Sequence, residues 1–177
     1  NTVGAGSDTI SNMENLTGSA NGDTLTGSIA ANTIDGGNGD DTIEGGAGND
    51  TLTGGSGTDT VSYSSAGSAI TFNLATTSGQ NTVGAGTDTV SAFENLRGSA
   101  FNDTLTGNSS NNTIEGGAGN DTINGSGGTD TLSYANGRRG NRYDQQHGKP
   151  NWFSSQRHTN RDIKRQHHPG RCRCGYD

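Results

Sequence analysis

The sequence predicts an all-β solenoid, a stack of coils in which short strands alternate with tight turns, and three observations carry that prediction. The first is period. From Gly18 to Ser62 the chain divides without a gap into GSANGDTLT, GSIAANTID, GGNGDDTIE, GGAGNDTLT and GGSGTDTVS, and from Gly98 to Ser133 into GSAFNDTLT, GNSSNNTIE, GGAGNDTIN and GSGGTDTLS. The second is the content of each phrase: position six is always Asp or Asn, position eight is always Leu, Ile or Val, and glycine recurs at positions one, two and four. The third is composition. Only 25% of the 177 residues are hydrophobic and 5% aromatic, with a mean hydropathy of -0.81, which is too little apolar surface for the layered core of a conventional globular enzyme.

Each element follows from residue type. Glycines at positions one, two and four permit positive φ and close backbone approach, so GGxGxD makes a tight turn. The next three residues, mostly Thr, an aliphatic and a small polar residue, form a short strand with the aliphatic side chain inward. Turn, strand, turn, strand is one coil, so two nonapeptides complete it. Leu25, Ile34, Ile43, Leu52 and Val61 then stack into a narrow core, and Leu105, Ile114, Ile123 and Leu132 do the same in the second run. A period of 80 residues sits above this one, because NTVGAGSDTISNMENLTGSANGDTLTG at residue 1 recurs as NTVGAGTDTVSAFENLRGSAFNDTLTG at residue 81. Between the runs, Ile70, Phe72 and Leu74 alternate with polar residues as in a half-buried strand. The expected organisation is a first repeat block over residues 1–80, ending in a strand-like connector or cap at 63–80, a second block over 81–136, and a basic tail over 137–177.

Charge divides the chain at the same place. Residues 1–136 carry fifteen Asp or Glu against the single basic residue Arg97, and have no His or Cys. Stacking the coils brings Asp23, Asp41 and Asp59 into one column of like charge, with Asn32 and Asp50 on the opposite edge. One aliphatic residue per nine does not offset the entropy of ordering a glycine-rich chain, and the acidic columns oppose folding further. A bound cation reverses both. Calcium takes six to eight oxygen ligands from carboxylates and carbonyls, and these turns offer both; zinc and copper are disfavoured without imidazole or thiol. The expected sites lie between successive turns, pairing Asp23 with Asp41, Asp41 with Asp59, Asn32 with Asp50, Asp103 with Asp121, and Asn112 with Asp130. Asn brings an oxygen without charge, so weaker sites are expected at Asn32 and Asn112.

The phrase GGxGxDxUx, with U apolar, resembles the repeats-in-toxin (RTX) nonapeptide, the hemolysin-type calcium-binding repeat. Residues 36–62 match it at every defined position and 116–124 match again, while 18–35, 98–115 and 125–133 are degenerate copies. The resemblance covers about residues 1–136. It implies a parallel β-roll, a right-handed β-helix or solenoid, in a bacterial protein exported by type I secretion machinery. It also implies several calcium ions held by the position-six Asp and turn carbonyls. Here those are Asp41, Asp50, Asp59 and Asp121 with Gly36, Gly37, Gly39, Gly45, Gly46, Gly48, Gly54, Gly55, Gly57, Gly116, Gly117 and Gly119.

Other signals have plainer readings. Asp8 and Asp88 stand correctly before Ile10 and Val90, but the next apolar positions, Leu16 and Leu96, come six residues later. That breaks the phase, leaving Asp8, Asp88, Glu14 and Glu94 either as ligands or as solvated loop acids. Asp35, Asp40, Glu44 and Glu115 fall outside position six and are read as surface charge. Thr24, Thr33, Thr42, Thr51 and Thr60 are good exposed strand residues; their alternative use is a hydroxyl row for a polysaccharide or ice.

In the tail, RRGNRY, RHTNRDIKRQHH and RCRC look like a nucleic-acid arm. His167, His168, Cys172 and Cys174 likewise suggest a metal site. However, the repeat stops abruptly after DTLSYANG, and a one-nucleotide shift permits Val-Thr-Val-Thr-Ile over 140–144, an alternation like AITFNL. The tail is therefore read as a disordered segment or a frameshifted connector, a question for the coding DNA, and no nucleic-acid partner is expected.

No stretch is apolar enough to span a membrane as a helix, and none resembles a signal peptide. Asn1 falls inside a repeat, so the chain reads as a piece of something longer. No catalytic constellation is expected: nothing predicts two carboxylates flanking a cleft, and no Lys follows the glycines at Walker spacing. The expected function is a calcium-binding module of a secreted, extracellular protein, disordered at low calcium and folding outside the cell. A surface adhesin or polysaccharide-binding module, and an accessory module of a secreted epimerase, protease or lipase, are the alternatives.

Overall fold

The computed structural model describes residues 13–134, together with the backbone of 143–144 and 149–150. Among these residues there is no helix. A first strand, β1 (Asn15–Thr17), precedes the first run; within the run strands form where position eight supplies a buried aliphatic residue: β2 (Thr24–Thr26), β3 (Thr33–Asn38), β4 (Thr42–Glu44), β5 (Thr51–Ser56) and β6 (Thr60–Ser62). The connector contributes β7 (Thr71–Asn73) and β8 (Gln80–Asn81). Then follow β9 (Thr87–Ser91), β10 (Asn95–Arg97), β11 (Thr104–Thr106), β12 (Thr113–Glu115), β13 (Thr122–Asn124) and β14 (Thr131–Ser133). Two short strands, β15 (Tyr143–Asp144) and β16 (Lys149–Pro150), extend the sheet beyond β13.

Odd and even strands of each run form separate walls. One wall has the order β1-β3-β5-β9-β8, and the facing wall β2-β4-β6-β10-β12-β14. A third sheet runs β7-β11-β13-β15-β16. Pairing is parallel throughout, apart from β8 with β9 and β15 with β16. Within each run the register links residues 18 apart, such as Ile34 with Leu52 and Leu105 with Ile123, so two nonapeptides do complete one coil.

The ladder is continuous from the first run to the second. β9 seats on β5, with Leu52 opposite Val90, and β10 seats on β6, with Val61 opposite Leu96. The connector between them starts the third sheet through β7, where Phe72 lies opposite Leu105.

The core is a file of single side chains. Leu25, Ile34, Ile43, Leu52, Val61, Leu105, Ile114 and Ile123 are buried as the repeat predicts, and Leu132 packs against them partly buried. The connector adds Tyr63, Ile70, Phe72 and Leu74, with the Tyr63 and Phe72 rings 4.9 Å apart and tilted by 48°. These bulky residues thicken the core where the repeats are interrupted. The position-seven threonines fall in register on the outside, Thr24 beside Thr42 beside Thr60.

Glycine is required for two reasons. Gly55 has a φ of 112°, and a Cβ there would also strike the carbonyl of Gly37 one coil away. A Cβ on Gly36 would overlap both the Asp41 carboxylate and the Gly54 carbonyl. Position one is therefore glycine because coil-to-coil stacking leaves no room for a side chain.

Candidate metal sites

Position six ends each turn immediately before a strand, so its side chains form one column along each edge of the roll. In the first column the Asp23 N–H donates to Asp41 Oδ1 at 2.8 Å, the Asp41 N–H to Asp59 Oδ1 at 2.8 Å, and the Asp59 N–H to Glu94 Oε2 at 2.9 Å. Farther along, the Asn112 N–H donates to Asp130 Oδ1. On the opposite edge the Asn32 N–H donates to Asp50 Oδ1 at 2.8 Å, and the Asp50 N–H to Asp88 Oδ1 at 3.0 Å. There too, the Ile70 N–H donates to Asp103 Oδ1 and the Asp103 N–H to Asp121 Oδ1. All five neighbour pairs expected from the repeat are linked in this way across adjacent coils.

One oxygen of each carboxylate thus joins coil to coil. The other is the exceptional one. Asp41, Asp50 and Asp59 are at most 2% exposed, yet their Oδ2 atoms have no hydrogen-bond partner, and the same holds for Oδ2 of Asp130. A buried anionic oxygen without a donor is strongly unfavourable. Asp41 Oδ2 lies over Gly36, where the Gly54 carbonyl also converges, and Asp50 Oδ2 lies over Gly45. Carboxylate and carbonyl oxygens gathered in a glycine-lined cradle are hard ligands suited to calcium. Among the described residues no three Asp, Glu, His or Cys side chains converge, so carbonyls must supply most of any coordination shell.

The protonation behaviour agrees with this. Burial pushes the Asp50 carboxyl above the usual aspartate range, partly offset by the Asn32 N–H. Asp59 is raised by burial and by the charges of Asp41, Glu94 and Asp40. Asp88 is pushed up to about 6, chiefly by burial and then by Asp50, beside the buried Tyr63 hydroxyl. A carboxyl with a raised folded-state pKa binds more protons folded than unfolded, so stability falls as pH rises between its two values. The metal-free chain is therefore expected to be more stable at pH 5 than at pH 7, through Asp88 titrating between 3.8 and about 6 and through Asp50 and Asp59 acting in the same direction. Thermal melts in chelator at the two pH values check this, and an equal or higher midpoint at pH 7 contradicts it.

The acids outside the regular phase take places of their own. Of the two readings left open for Asp88 and Glu94, the structure favours the column: they follow Asp50 and Asp59, and Glu94 reaches its place from a turn shortened to Ala92 and Phe93. Asp40 is exposed, but its Oδ1 accepts the Thr58 N–H at 2.8 Å, and Asn49, Asn102 and Asn111 accept the N–H of Thr87, Asn120 and Thr129 in the same manner. This second ladder, built on position five, was missed because the position tolerates Asp, Asn, Thr, Ala and Gly. Glu44 is half-buried and accepts hydrogen bonds from the Ser62 and Ser64 hydroxyls and the Ser65 N–H, while Glu115 lies 3.8 Å from Arg97. Asp35 is exposed. Asp8 and the sequence features of the basic tail lie outside the described residues, apart from the backbone of β15 and β16.

The family profile described as RTX calcium-binding nonapeptide repeat (4 copies) matches residues 17–52, 26–61 and 95–138. No curated protein sequence matches the chain. The three profile segments take in the repeat-phase residues of both columns, leave out Asp88 and Glu94, and stop short of most of the basic tail.

Proposed function

The chain belongs to the RTX calcium-binding nonapeptide repeat family, and on that premise we propose that it is a non-catalytic module of a secreted protein whose folding is driven by several calcium ions. The observation that carries this reading is the set of buried, unpartnered Oδ2 atoms of Asp41, Asp50, Asp59 and Asp130. Calcium would be held by these carboxylates and by the carbonyls of the glycine turns, Gly54 beside Asp41 being one of them. When bound, it supplies the positive charge that the columns lack. Because the ligands come from different coils, they are brought together only in the folded chain, so binding free energy becomes folding free energy. At low calcium the acidic columns oppose the roll and raise the share of open chain, a form suited to export through type I machinery; where calcium is abundant, mass action favours the roll. Among the described residues no helix is long and apolar enough to cross a membrane.

The test is a circular dichroism titration of the full chain. Parallel β signal is expected to develop as calcium rises from micromolar to millimolar and not with magnesium, whose demand for near-octahedral geometry suits these cradles poorly. A chain whose β signal and thermal midpoint are no lower in chelator than in calcium would refute the proposal.

A further inference from the structure

We infer that the residues at the second and fourth places of each turn decide whether that turn takes a cation or closes on itself without one, an inference that rests on the calcium-binding reading above.

The turns fall into two conformations. In residues 36–41, 45–50, 54–59 and 116–121 both places are glycine with positive φ, from 81° at Gly117 to 144° at Gly57. In residues 125–130, Ser126 adopts a φ of 70° at the second place, with Gly128 at 104°. In residues 18–23, 27–32, 98–103 and 107–112 neither place has positive φ.

The hydrogen bonds divide along the same line. In each of these last four turns the second residue's N–H donates to the position-six side chain: Ser19 to Asp23 Oδ2 at 2.6 Å, Ser28 to Asn32 Oδ1 at 2.7 Å, Ser99 to Asp103 Oδ2 at 2.7 Å and Asn108 to Asn112 Oδ1 at 2.8 Å. Positive φ turns that N–H elsewhere. The Gly37 N–H donates to Asp35 Oδ1, and the Ser126 N–H to Asn124 Oδ1. The oxygen it has left, Oδ2 of Asp41 or Asp130, is then buried and bare.

Three of the four closed turns meet their own needs. Asp103 accepts the Ser99 hydroxyl and the Ile70 N–H as well as the Ser99 N–H. Asn32 and Asn112 carry no charge, and their Nδ2 groups donate to the carbonyls of Met13 and Glu94. Asp23 is capped on Oδ2, while its Oδ1, the atom that joins to a preceding coil, has no partner among the described residues. An open turn is therefore an anion awaiting a cation, and a closed one is a staple that holds a coil together without metal.

The two kinds can be exchanged. Ser99→Gly with Phe101→Gly makes residues 98–103 read GGAGND, as residues 45–50 and 116–121 already do. Phe101 is 43% exposed, so its removal opens little of the core. Gly117→Ser with Gly119→Phe makes the reverse change, giving GSAFND. Calcium bound per full-length chain is measured by equilibrium dialysis, and thermal midpoints are measured in chelator. The first variant is expected to bind one more calcium than wild type and to melt lower without metal. The second is expected to bind one fewer and melt higher without metal. Unchanged stoichiometry in Ser99→Gly/Phe101→Gly, with wild-type binding intact, overturns the inference; if the reverse variant does not fold, this first variant decides. A wild-type chain that binds no calcium overturns the reading beneath it.

Discussion

Asp41→Asn is expected to lower calcium affinity by at least about tenfold, equivalent to about 1.4 kcal/mol, and at the same time to raise the thermal midpoint of the metal-free chain. The opposite signs follow from the two jobs of one carboxylate. Asn keeps an Oδ1 to accept the Asp23 N–H across the coil boundary, so the ladder survives. It replaces the bare Oδ2 with an amide that can donate toward the Gly54 carbonyl, and so removes a buried charge from a column that also holds Asp23 and Asp59. Without metal that is a gain; with metal, a charged ligand is lost. Asp41→Ala instead leaves the buried Asp23 N–H without an acceptor, a loss of about 1–3 kcal/mol in either condition. Melts of both variants with calcium and with chelator separate the two roles. An Asn variant that matches wild type in both conditions would show that Asp41 acts only as a hydrogen-bond acceptor.

Leu52→Ala is expected to cost about 2–5 kcal/mol in saturating calcium, the largest effect of any single core truncation in the first run. Leu52 is fully buried, with Ile34 on one side and Val90 on the other in the same wall. Each coil presents one such residue per wall, so no second layer can collapse into the void. It also sits where the first run joins the second, so its loss weakens the junction on which the later coils depend. Leu132→Ala, at a partly buried position on β14, should cost less. Denaturant unfolding of the two variants gives the comparison, and equal losses would argue that the junction carries no special weight.

The columns were legible in the sequence as far as the nine-residue phase ran. Asp23, Asp41 and Asp59 follow from it directly, as does the 18-residue register that stacks them. Asp88 and Glu94 were not placed, because the chain between β6 and β9 departs from the period, and the bonds that seat them join residues 38 and 35 apart. The spacing DTV and ENL, an acid two residues before an aliphatic, was the available signal. It is too short to distinguish a shortened turn from an ordinary loop. The difference between open and closed turns was also half visible: Gly against Ser or Asn at the second place is written in the sequence, but Ser126 takes the glycine-like conformation. The second place alone therefore does not settle the turn, whereas glycine stands at the fourth place of every open one.

By itself the sequence determined the strands, the two-phrase coil, the single file of core residues and the acidic columns, because these depend on periods of two and nine that local chemistry enforces. The tertiary structure decided how the interrupted chain closes up, seating β9 on β5 and β10 on β6. It also decided which carboxylate oxygens remain bare. Both depend on contacts between coils, where a backbone N–H either reaches a side chain or turns away from it, and no nine-residue phrase contains its neighbour.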